Sequence, residues 1–321
     1  MGKITVAVFF FDSMKNEKNQ EERIAMKNYE EFKSEIQKYL QERYASSGYE
    51  AKISRVEHMN GVSEELTLDG TPWEVVPGID LLSLYKIYLL FDMDKCMEYL
   101  TGTFKKCEEQ DLAGIVGTFA EQKERILPKL VNRKRNSRLL ENLVSRPFLD
   151  LAIIIRVSLP CGKDGASAVI LLSKEIMENV WKVSEEEVFQ AAYRNQQKER
   201  VIGTTMQNLF EDDRIEEMIA IIRMKREETG ASVLLRKDIL QRIEREYQAS
   251  FYILPSSVHE IVTVKAEGHE EEDLREMIPV VNQMCVKEAE QLSDYLYYFD
   301  ADKNKVELRT DTKNEYMEEL D

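Results

Sequence analysis

One short stretch of this chain, Pro255-Ser-Ser-Val-His-Glu260, brings together the residue types of nucleophilic catalysis. In a hydrolase, a histidine takes the proton of a serine hydroxyl and a carboxylate orients the imidazole. The candidates for these roles are Ser256, Ser257, His259 and Glu260. Adjacent residues on a strand point to opposite faces, so the imidazole and the glutamate are expected to diverge. The alternative is a rigid turn in which the proline fixes φ and the hydroxyls bond the backbone.

Metal-binding patterns are incomplete in this sequence. His259 and Glu260 would begin a His-Glu-x-x-His zinc motif, but Thr263 stands where the second histidine is required. The acidic turn that begins at Asp300 resembles a calcium-binding loop, but Lys305 stands where the sharp bend needs glycine. We therefore predict a hairpin turn at this point, and neither a metal nor another cofactor.

A basic segment runs from residue 123 to residue 138. Its candidate binding residues are Lys129, Arg133, Lys134, Arg135 and Arg138. Such a segment can bind an acidic partner or a nucleic-acid backbone, or it can pair with acidic side chains of the same chain. Few aromatic residues interleave it, which argues against base stacking.

The chain as a whole is acidic, with a formal net charge of −16. Residues 265–321 contain 17 acidic and 7 basic side chains, so they contribute −10 of that total. An acidic surface repels phosphate backbones and anionic lipid at long range. We therefore do not expect general nucleic-acid binding or membrane association, and we expect most of these charges to face water.

The cysteine pattern indicates a reduced, cytoplasmic protein. The four cysteines are widely and irregularly spaced, at Cys96, Cys107, Cys161 and Cys285. None forms a Cys-x-x-Cys pair, and a disulfide framework is not expected in a chain of this size. No apolar run approaches the ~18 residues that a membrane helix needs, so no membrane segment is predicted.

The elements that would position these residues follow from hydrophobic periodicity and turn signals. Helices are predicted over residues 22–45, 79–100, 104–127, 237–247 and 271–290. Strands are predicted over residues 51–57, 62–68, 148–159, 168–172, 251–254, 260–264, 295–299 and 305–309. Ser184 with Glu187 forms a capping box for a further helix. One face of helix 271–290 is predicted to collect the apolar residues Leu274, Met277, Ile278, Val281, Met284 and Cys285.

These elements predict an α+β fold, with a mainly antiparallel sheet backed by helices. We expect an N-terminal extension over residues 1–25, a helical and hairpin subdomain over 26–141, and an α+β subdomain with an acidic tail over 142–321. Residues 152–180 and 220–243 share a pattern of strand, Gly-Ala-Ser turn, strand and helix. A duplicated β-hairpin–helix unit is therefore a further hypothesis.

Five stretches resemble a bacterial family known only as a domain of unknown function. They are Leu130-Val-Asn-Arg133, Arg146-Pro-Phe-Leu-Asp-Leu-Ala152, Gly230-Ala-Ser-Val-Leu-Leu235, Phe251-Tyr-Ile-Leu-Pro-Ser-Ser-Val-His-Glu260 and Leu292-Ser-Asp-Tyr-Leu-Tyr-Tyr-Phe-Asp300. The resemblance covers about residues 29–308 and nearly the full length of the chain. It implies no activity, cofactor or catalytic residue.

The sequence leads to three functional hypotheses. The first is a non-enzymatic cytoplasmic interaction or regulatory protein with a protein partner, because no motif above meets the geometry that chemistry requires. The second is a hydrolase that uses Ser256 or Ser257 with His259. The third is a nucleic-acid-associated protein that binds through residues 123–138.

Overall fold

The computed structural model describes residues 4–7, 27–58, 61–73, 75–109, 114, 116–161, 166–205, 219–255 and 257–310. Over these residues the protein is an α+β structure, in which helices pack against three mainly antiparallel sheets. The fold class predicted from the sequence is therefore confirmed. The acidic tail predicted at residues 311–321 lies outside the described residues, as does most of the N-terminal extension.

The N-terminal part is a four-stranded sheet with helices packed on it. Its elements are β1 (Ile4–Ala7), α1 (Tyr29–Tyr44), β2 (Glu50–His58), β3 (Gly61–Asp69), β4 (Val75–Asp80), α2 (Leu81–Leu90) and α3 (Met93–Glu109). The strand order is β1-β4-β3-β2, with β1 parallel to β4 and the other pairs antiparallel. Helix α1 begins at a capping box of Asn28 and Glu31, which satisfies free N–H groups of its first turn. Phe32, Ile36 and Leu40 recur at helical spacing and are fully buried.

A second sheet is built around one long central strand. Its elements, with the helices that connect them, are α4 (Phe119–Gln122), β5 (Ile126–Asn132), α5 (Ser137–Asn142), β6 (Ser145–Phe148), β7 (Leu151–Cys161) and β8 (Ala166–Leu171). Strand β5 pairs with one edge of β7, and β6 and β8 pair with the other. Residues 151–157 of β7 are all buried. The near-continuous apolar run at 148–159 thus forms the buried central strand that it predicts.

Residues 104–127 do not form the single helix that the sequence analysis predicted. Helix α3 ends at Glu109, and β5 begins at Ile126. Pro128 lies inside β5, opposite Ile155 of β7. Among the described strands, β5 pairs with β7 alone. Proline has no backbone N–H to donate, and an edge strand tolerates this because one of its sides needs no partner strand.

The C-terminal part is a six-stranded antiparallel sheet with its own helices. Its elements are a π-helical turn (Ile176–Trp181), α6 (Glu185–Lys198), β9 (Val201–Thr205), β10 (Ile219–Met224), a 3-10 segment (Glu227–Leu235), α7 (Lys237–Tyr247), β11 (Phe251–Leu254), β12 (Ile261–Lys265), α8 (Glu271–Cys285), β13 (Leu296–Asp300) and β14 (Lys305–Arg309). The strand order is β14-β13-β11-β12-β10-β9.

Helix α8 continues through Pro279 and ends at Cys285, short of the predicted residue 290. None of the described helices is long and apolar enough to cross a membrane.

The hypothesis of a duplicated hairpin unit is wrong. In the first copy, β7 and β8 pair with each other as a hairpin. In the second copy, β10 pairs with β9 and β12. Its Gly230-Ala-Ser232 sequence lies in the 3-10 segment and not in a turn between two strands. The two copies share residue types but not strand pairings.

The hydrophobic core divides near residue 110 and not near residue 141. One core cluster runs from Phe32 to Phe104, and the largest cluster begins at Val116. Strand β5 precedes residue 141, yet it pairs with β7, which follows it. A boundary at residue 141 therefore crosses the second sheet. The largest cluster includes residues of both the second and the C-terminal sheet, so these two sheets share one core.

Candidate functional site

The predicted catalytic stretch lies in the connection between β11 and β12. Ser256 lies outside the described residues, whereas Ser257 forms an isolated antiparallel bridge with Gln291. The Ser257 hydroxyl accepts a hydrogen bond from the backbone N–H of His259 at 3.2 Å. It therefore stabilises the local turn, as serine hydroxyls commonly do.

The imidazole of His259 faces a carboxylate other than the one that the sequence indicated. Its Nε2 lies 3.7 Å from Oε2 of Glu290, in the loop that follows α8, and both side chains are half-buried. Glu260 is also half-buried. A histidine–carboxylate pair is therefore present, but the described hydrogen bond of Ser257 involves a backbone group. The hydrolase hypothesis stays a prediction.

A close approach at Gly230 holds the backbone around His259 in place. A Cβ atom on Gly230 would lie 1.5 Å from the carbonyl oxygen of His259. The next residue, Ala231, donates its N–H to the carbonyl oxygen of Val258 at 3.1 Å. The N–H of Val258 in turn donates to the carbonyl oxygen of Glu290 at 2.9 Å. Only glycine fits at residue 230, because the obstacle is backbone, which has no alternative rotamer.

A buried polar cluster connects the second sheet to the C-terminal sheet. Asp150, in the turn between β6 and β7, accepts hydrogen bonds from the hydroxyls of Ser293, at 2.7 Å, and Tyr297. Ser293 is 1% exposed and Tyr297 is 0% exposed. Leu149, which precedes the aspartate, has φ of 55°, a left-handed conformation that is costly for any residue with a bulky side chain. We call Asp150, Ser293 and Tyr297 the polar junction.

Burial raises the pKa of the Asp150 carboxyl above its ordinary value of 3.8. The hydroxyl donors Tyr297 and Ser293 favour the ionised form and oppose that rise, whereas the nearby charge of Asp294 adds to it. A carboxyl with a raised pKa is a candidate proton-transfer group. The two hydroxyls that contact it are buried, however, so a substrate cannot reach them without opening the structure. The two buried hydroxyls therefore fix the position of the carboxyl, whereas Asp150 itself is half-buried.

The loop of residues 286–295 joins the five stretches on which the family resemblance rests. Asn132 Nδ2 donates to the carbonyl oxygen of Leu292 at 3.0 Å. The N–H of Ser293 donates to the carbonyl oxygen of Pro255 at 3.1 Å, and its hydroxyl reaches the polar junction. The stretch that begins at Gly230 is connected to them through its contacts with residues 258 and 259. Stretches that are far apart in the sequence thus meet in one place.

The basic residues of segment 123–138 differ in exposure. Lys129 lies in β5 and is 8% exposed, so it is not part of an exposed basic patch. Arg135 donates to Oε1 of Gln291 at 2.6 Å and lies 3.4 Å from Oδ2 of Asp294. Of the remaining basic candidates, the half-buried one is Arg133 and the exposed ones are Lys134 and Arg138. Part of the positive charge is thus paired within the chain, and the nucleic-acid hypothesis stays a prediction.

The acidic turn at Asp300 forms the hairpin between β13 and β14, as predicted. Oδ1 of Asp300 accepts a hydrogen bond from the backbone N–H of Lys303 at 3.0 Å, and Oδ2 of Asp300 lies 3.0 Å from the Lys303 ammonium group. Within the part of the chain that the structure describes, no three His, Cys, Asp or Glu side chains are placed to hold a metal ion.

The outer side of α8 carries an exposed apolar surface. Met277, Val280 and Met284 are 47%, 54% and 78% exposed, and we call these three residues the α8 face. The opposite side of the helix is buried and anchors it to the sheet. This surface was not predicted from the sequence, in which Met277 and Met284 were assigned to the same face as the buried residues. The signal that would have found it is the spacing of residues 277, 280 and 284, which places them together on one side of a helix.

A protein-family model matches most of the chain. Residues 29–301 match DUF5688, a family of unknown function. The chain belongs to this family. No curated protein and no solved structure matches it. The resemblance seen in the sequence is thus confirmed, and because the DUF5688 family has no assigned activity, function has to be argued from the geometry of this chain.

In this DUF5688 protein, Asp150→Asn should change how stability depends on pH. A carboxyl whose folded-state pKa is raised above its unfolded-state pKa stabilises the protein at low pH, and that stabilisation is lost as the pH rises through the folded-state pKa. Asparagine does not titrate. The free energy of unfolding of the wild type, minus that of the variant, is therefore expected to fall as the pH rises above 3.8. Urea unfolding at a series of pH values measures it, and a difference that rises with pH contradicts the direction of the pKa shift.

Proposed function

We propose that this protein is a non-enzymatic interaction protein whose α8 face binds a basic amphipathic segment of a partner protein. One observation carries the proposal. Met277, Val280 and Met284 are exposed side by side on a helix whose other side already anchors it. These side chains contribute little to the core of this chain, so they are available to a partner.

The α8 face is a continuous apolar surface and not a set of isolated apolar residues. Single exposed apolar side chains are common and need no explanation. Here three of them are neighbours along one helix face. Methionine is unbranched and polarizable, so it adapts to the shape of a binding partner. Such a surface fits the apolar side of an incoming helix.

The charge of the partner follows from the acidic residues beside the α8 face. Asp273 and Glu276 are exposed on the same helix, and the net charge of the chain is −16. Basic side chains on a partner would be attracted to them, which favours encounter and orientation. A second copy of this chain would place like charges opposite each other, and anionic lipid or nucleic acid would be repelled. A basic amphipathic helix of another protein is therefore the favoured occupant.

The α8 face is held in place before any partner arrives. Leu274 and Ile278 pack from the inner side of α8 into a core cluster on the C-terminal sheet. Asn282 Nδ2 donates to the carbonyl oxygen of Ser293 at 2.9 Å and to Oδ1 of Asp294 at 2.7 Å. A surface that is already ordered loses little conformational entropy on binding. This rigidity favours a docking site over a segment that folds only when bound.

We also propose a cytoplasmic location for the protein. Cys96, Cys107 and Cys285 are free thiols, which fits a reducing compartment. Burial raises the pKa of Cys107 to about 11, so this thiol stays protonated near neutral pH and is a poor nucleophile.

The proposal is tested with a fluorescein-labelled helical peptide of about 18 leucine and lysine residues, whose binding is followed by fluorescence anisotropy. The wild-type protein should bind this peptide at physiological salt. The variant Met277→Ser/Val280→Ser/Met284→Ser should bind at least about tenfold more weakly, because the buried apolar area that it loses is worth more than about 1.4 kcal/mol.

Two controls separate apolar docking from charge attraction. Leu82→Ser/Leu89→Ser/Leu90→Ser removes three exposed apolar side chains from α2 and should leave binding unchanged. A peptide in which serine replaces every leucine keeps its charge and should bind far more weakly. If both triple variants bind alike, or if the protein binds both peptides equally, the proposal is wrong.

A further inference from the structure

We infer that the α8 face is a methionine-oxidation site, and that conversion of Met277 and Met284 to their sulfoxides by a peroxide releases the partner. This inference rests on the proposed function of the α8 face, and it adds the way in which binding would be regulated.

The exposure of the methionines carries the inference. Met277 and Met284 are 47% and 78% exposed, whereas Met177 and Met224 in the core are 7% and 1% exposed. Within the described residues, the two on α8 are the methionines with exposed side chains. They are seven residues, or about two helical turns, apart. Among the methionines that the structure describes, the two with exposed side chains therefore lie on the surface that is proposed to bind a partner, whereas Met93 and Met97 are half-buried.

The oxidation is an oxygen-atom transfer. The thioether sulfur attacks one peroxide oxygen, the O–O bond breaks, and the other oxygen leaves as water or an alcohol after it takes up a proton. The sulfur loses two electrons and the peroxide gains them. Two thiols reverse the reaction, because they take back the oxygen as water and become a disulfide. Each reaction needs only a peroxide or a dithiol reductant as the second reactant.

The sulfoxide changes the property on which docking depends. It converts a flexible apolar side chain into a polar one that hydrogen-bonds water. Burial of that group under the apolar side of the partner helix would remove its water without supplying a replacement donor, which is unfavourable. Both ends of the α8 face would carry this group, leaving Val280 between them as the remaining apolar contact. We therefore expect oxidation to weaken binding as strongly as the serine variant does.

The experiment uses the whole chain with Cys285→Ser, because Cys285 is a third exposed oxidisable group on the same helix. After treatment with hydrogen peroxide, peptide mass spectrometry measures sulfoxide at each methionine, and anisotropy measures affinity for the leucine–lysine peptide. Met277 and Met284 should oxidise before Met177 and Met224. Affinity should fall at least about tenfold, and methionine sulfoxide reductase with dithiothreitol should restore it.

The matched control is Met277→Leu/Met284→Leu in the same background, which keeps the α8 face apolar but removes its oxidisable sulfur atoms. Its affinity after peroxide should equal its own affinity before peroxide, and a loss of affinity on treatment overturns the inference. Unchanged affinity in the oxidised parent, with both sulfoxides present, also overturns it and leaves the docking proposal standing. If the untreated protein does not bind the peptide, both are wrong.

Discussion

Gly230→Ala is expected to prevent folding, or to lower the free energy of unfolding by more than about 3 kcal/mol. The new Cβ would lie 1.5 Å from the carbonyl oxygen of His259, and neither group can rotate away. Relief of the clash would separate the 3-10 segment from the connection between β11 and β12. It would also break the 3.1 Å hydrogen bond between Ala231 and Val258. Urea unfolding followed by circular dichroism measures the effect.

The matched control for this prediction is Gly102→Ala. Gly102 lies in α3, and a Cβ atom there meets nothing within 4 Å. Alanine is the better helix former, so this change should raise the free energy of unfolding by about 0.5–1 kcal/mol. The same substitution thus has opposite expected signs at the two positions. A Gly230→Ala protein as stable as the wild type would contradict the close approach at His259.

Asp150→Ala is expected to lower the free energy of unfolding by roughly 2–4 kcal/mol. It removes the carboxylate that accepts hydrogen bonds from Ser293 and Tyr297, and both hydroxyls are buried. A buried donor that loses its acceptor costs about 1–3 kcal/mol. Loss of a partly desolvated charge offsets some of that cost. Guanidinium unfolding of the variant and the wild type gives the difference.

The variant Asp150→Ala/Ser293→Ala/Tyr297→Phe identifies the cause of that loss. It removes both hydroxyls together with their acceptor, so no unsatisfied donor remains in the polar junction. Its loss of stability should therefore be smaller than the sum of the three single losses. Strict additivity would mean that the three residues do not act as one hydrogen-bonded unit.

Local signals in the sequence predicted the elements that depend on neighbouring residues. The Ser184 hydroxyl and the Glu187 carboxylate form the predicted capping box of α6. Helix α7 and strand β11 have the bounds that periodicity indicated, Lys237–Tyr247 and Phe251–Leu254. In each case the deciding interactions join residues a few positions apart, so the sequence carries them directly.

The features that the sequence did not predict depend on distant partners. Asp150 and Tyr297 are 147 residues apart, and no periodicity relates them. Pro128 is compatible with β5 only because of the edge position of that strand, which local sequence does not encode. The exposure of Met277 and Met284 was not predicted because α8 carries apolar residues on both its buried and its exposed side. In a periodicity pattern these two sets merge into one broad apolar face. The pairing of His259 with Glu290 also joins residues that are distant in the sequence, and it depends on the position of the loop at 286–295.

Binding at the α8 face is tested most directly by NMR of the protein labelled with carbon-13 at its methionine methyl groups. Titration with the leucine–lysine peptide should shift the signals of Met277 and Met284, because the peptide covers them. The signals of the buried Met177 and Met224 should stay in place, and single leucine variants provide the assignments. Peptide binding that shifts other methionine signals and leaves both Met277 and Met284 unmoved would contradict docking at this face.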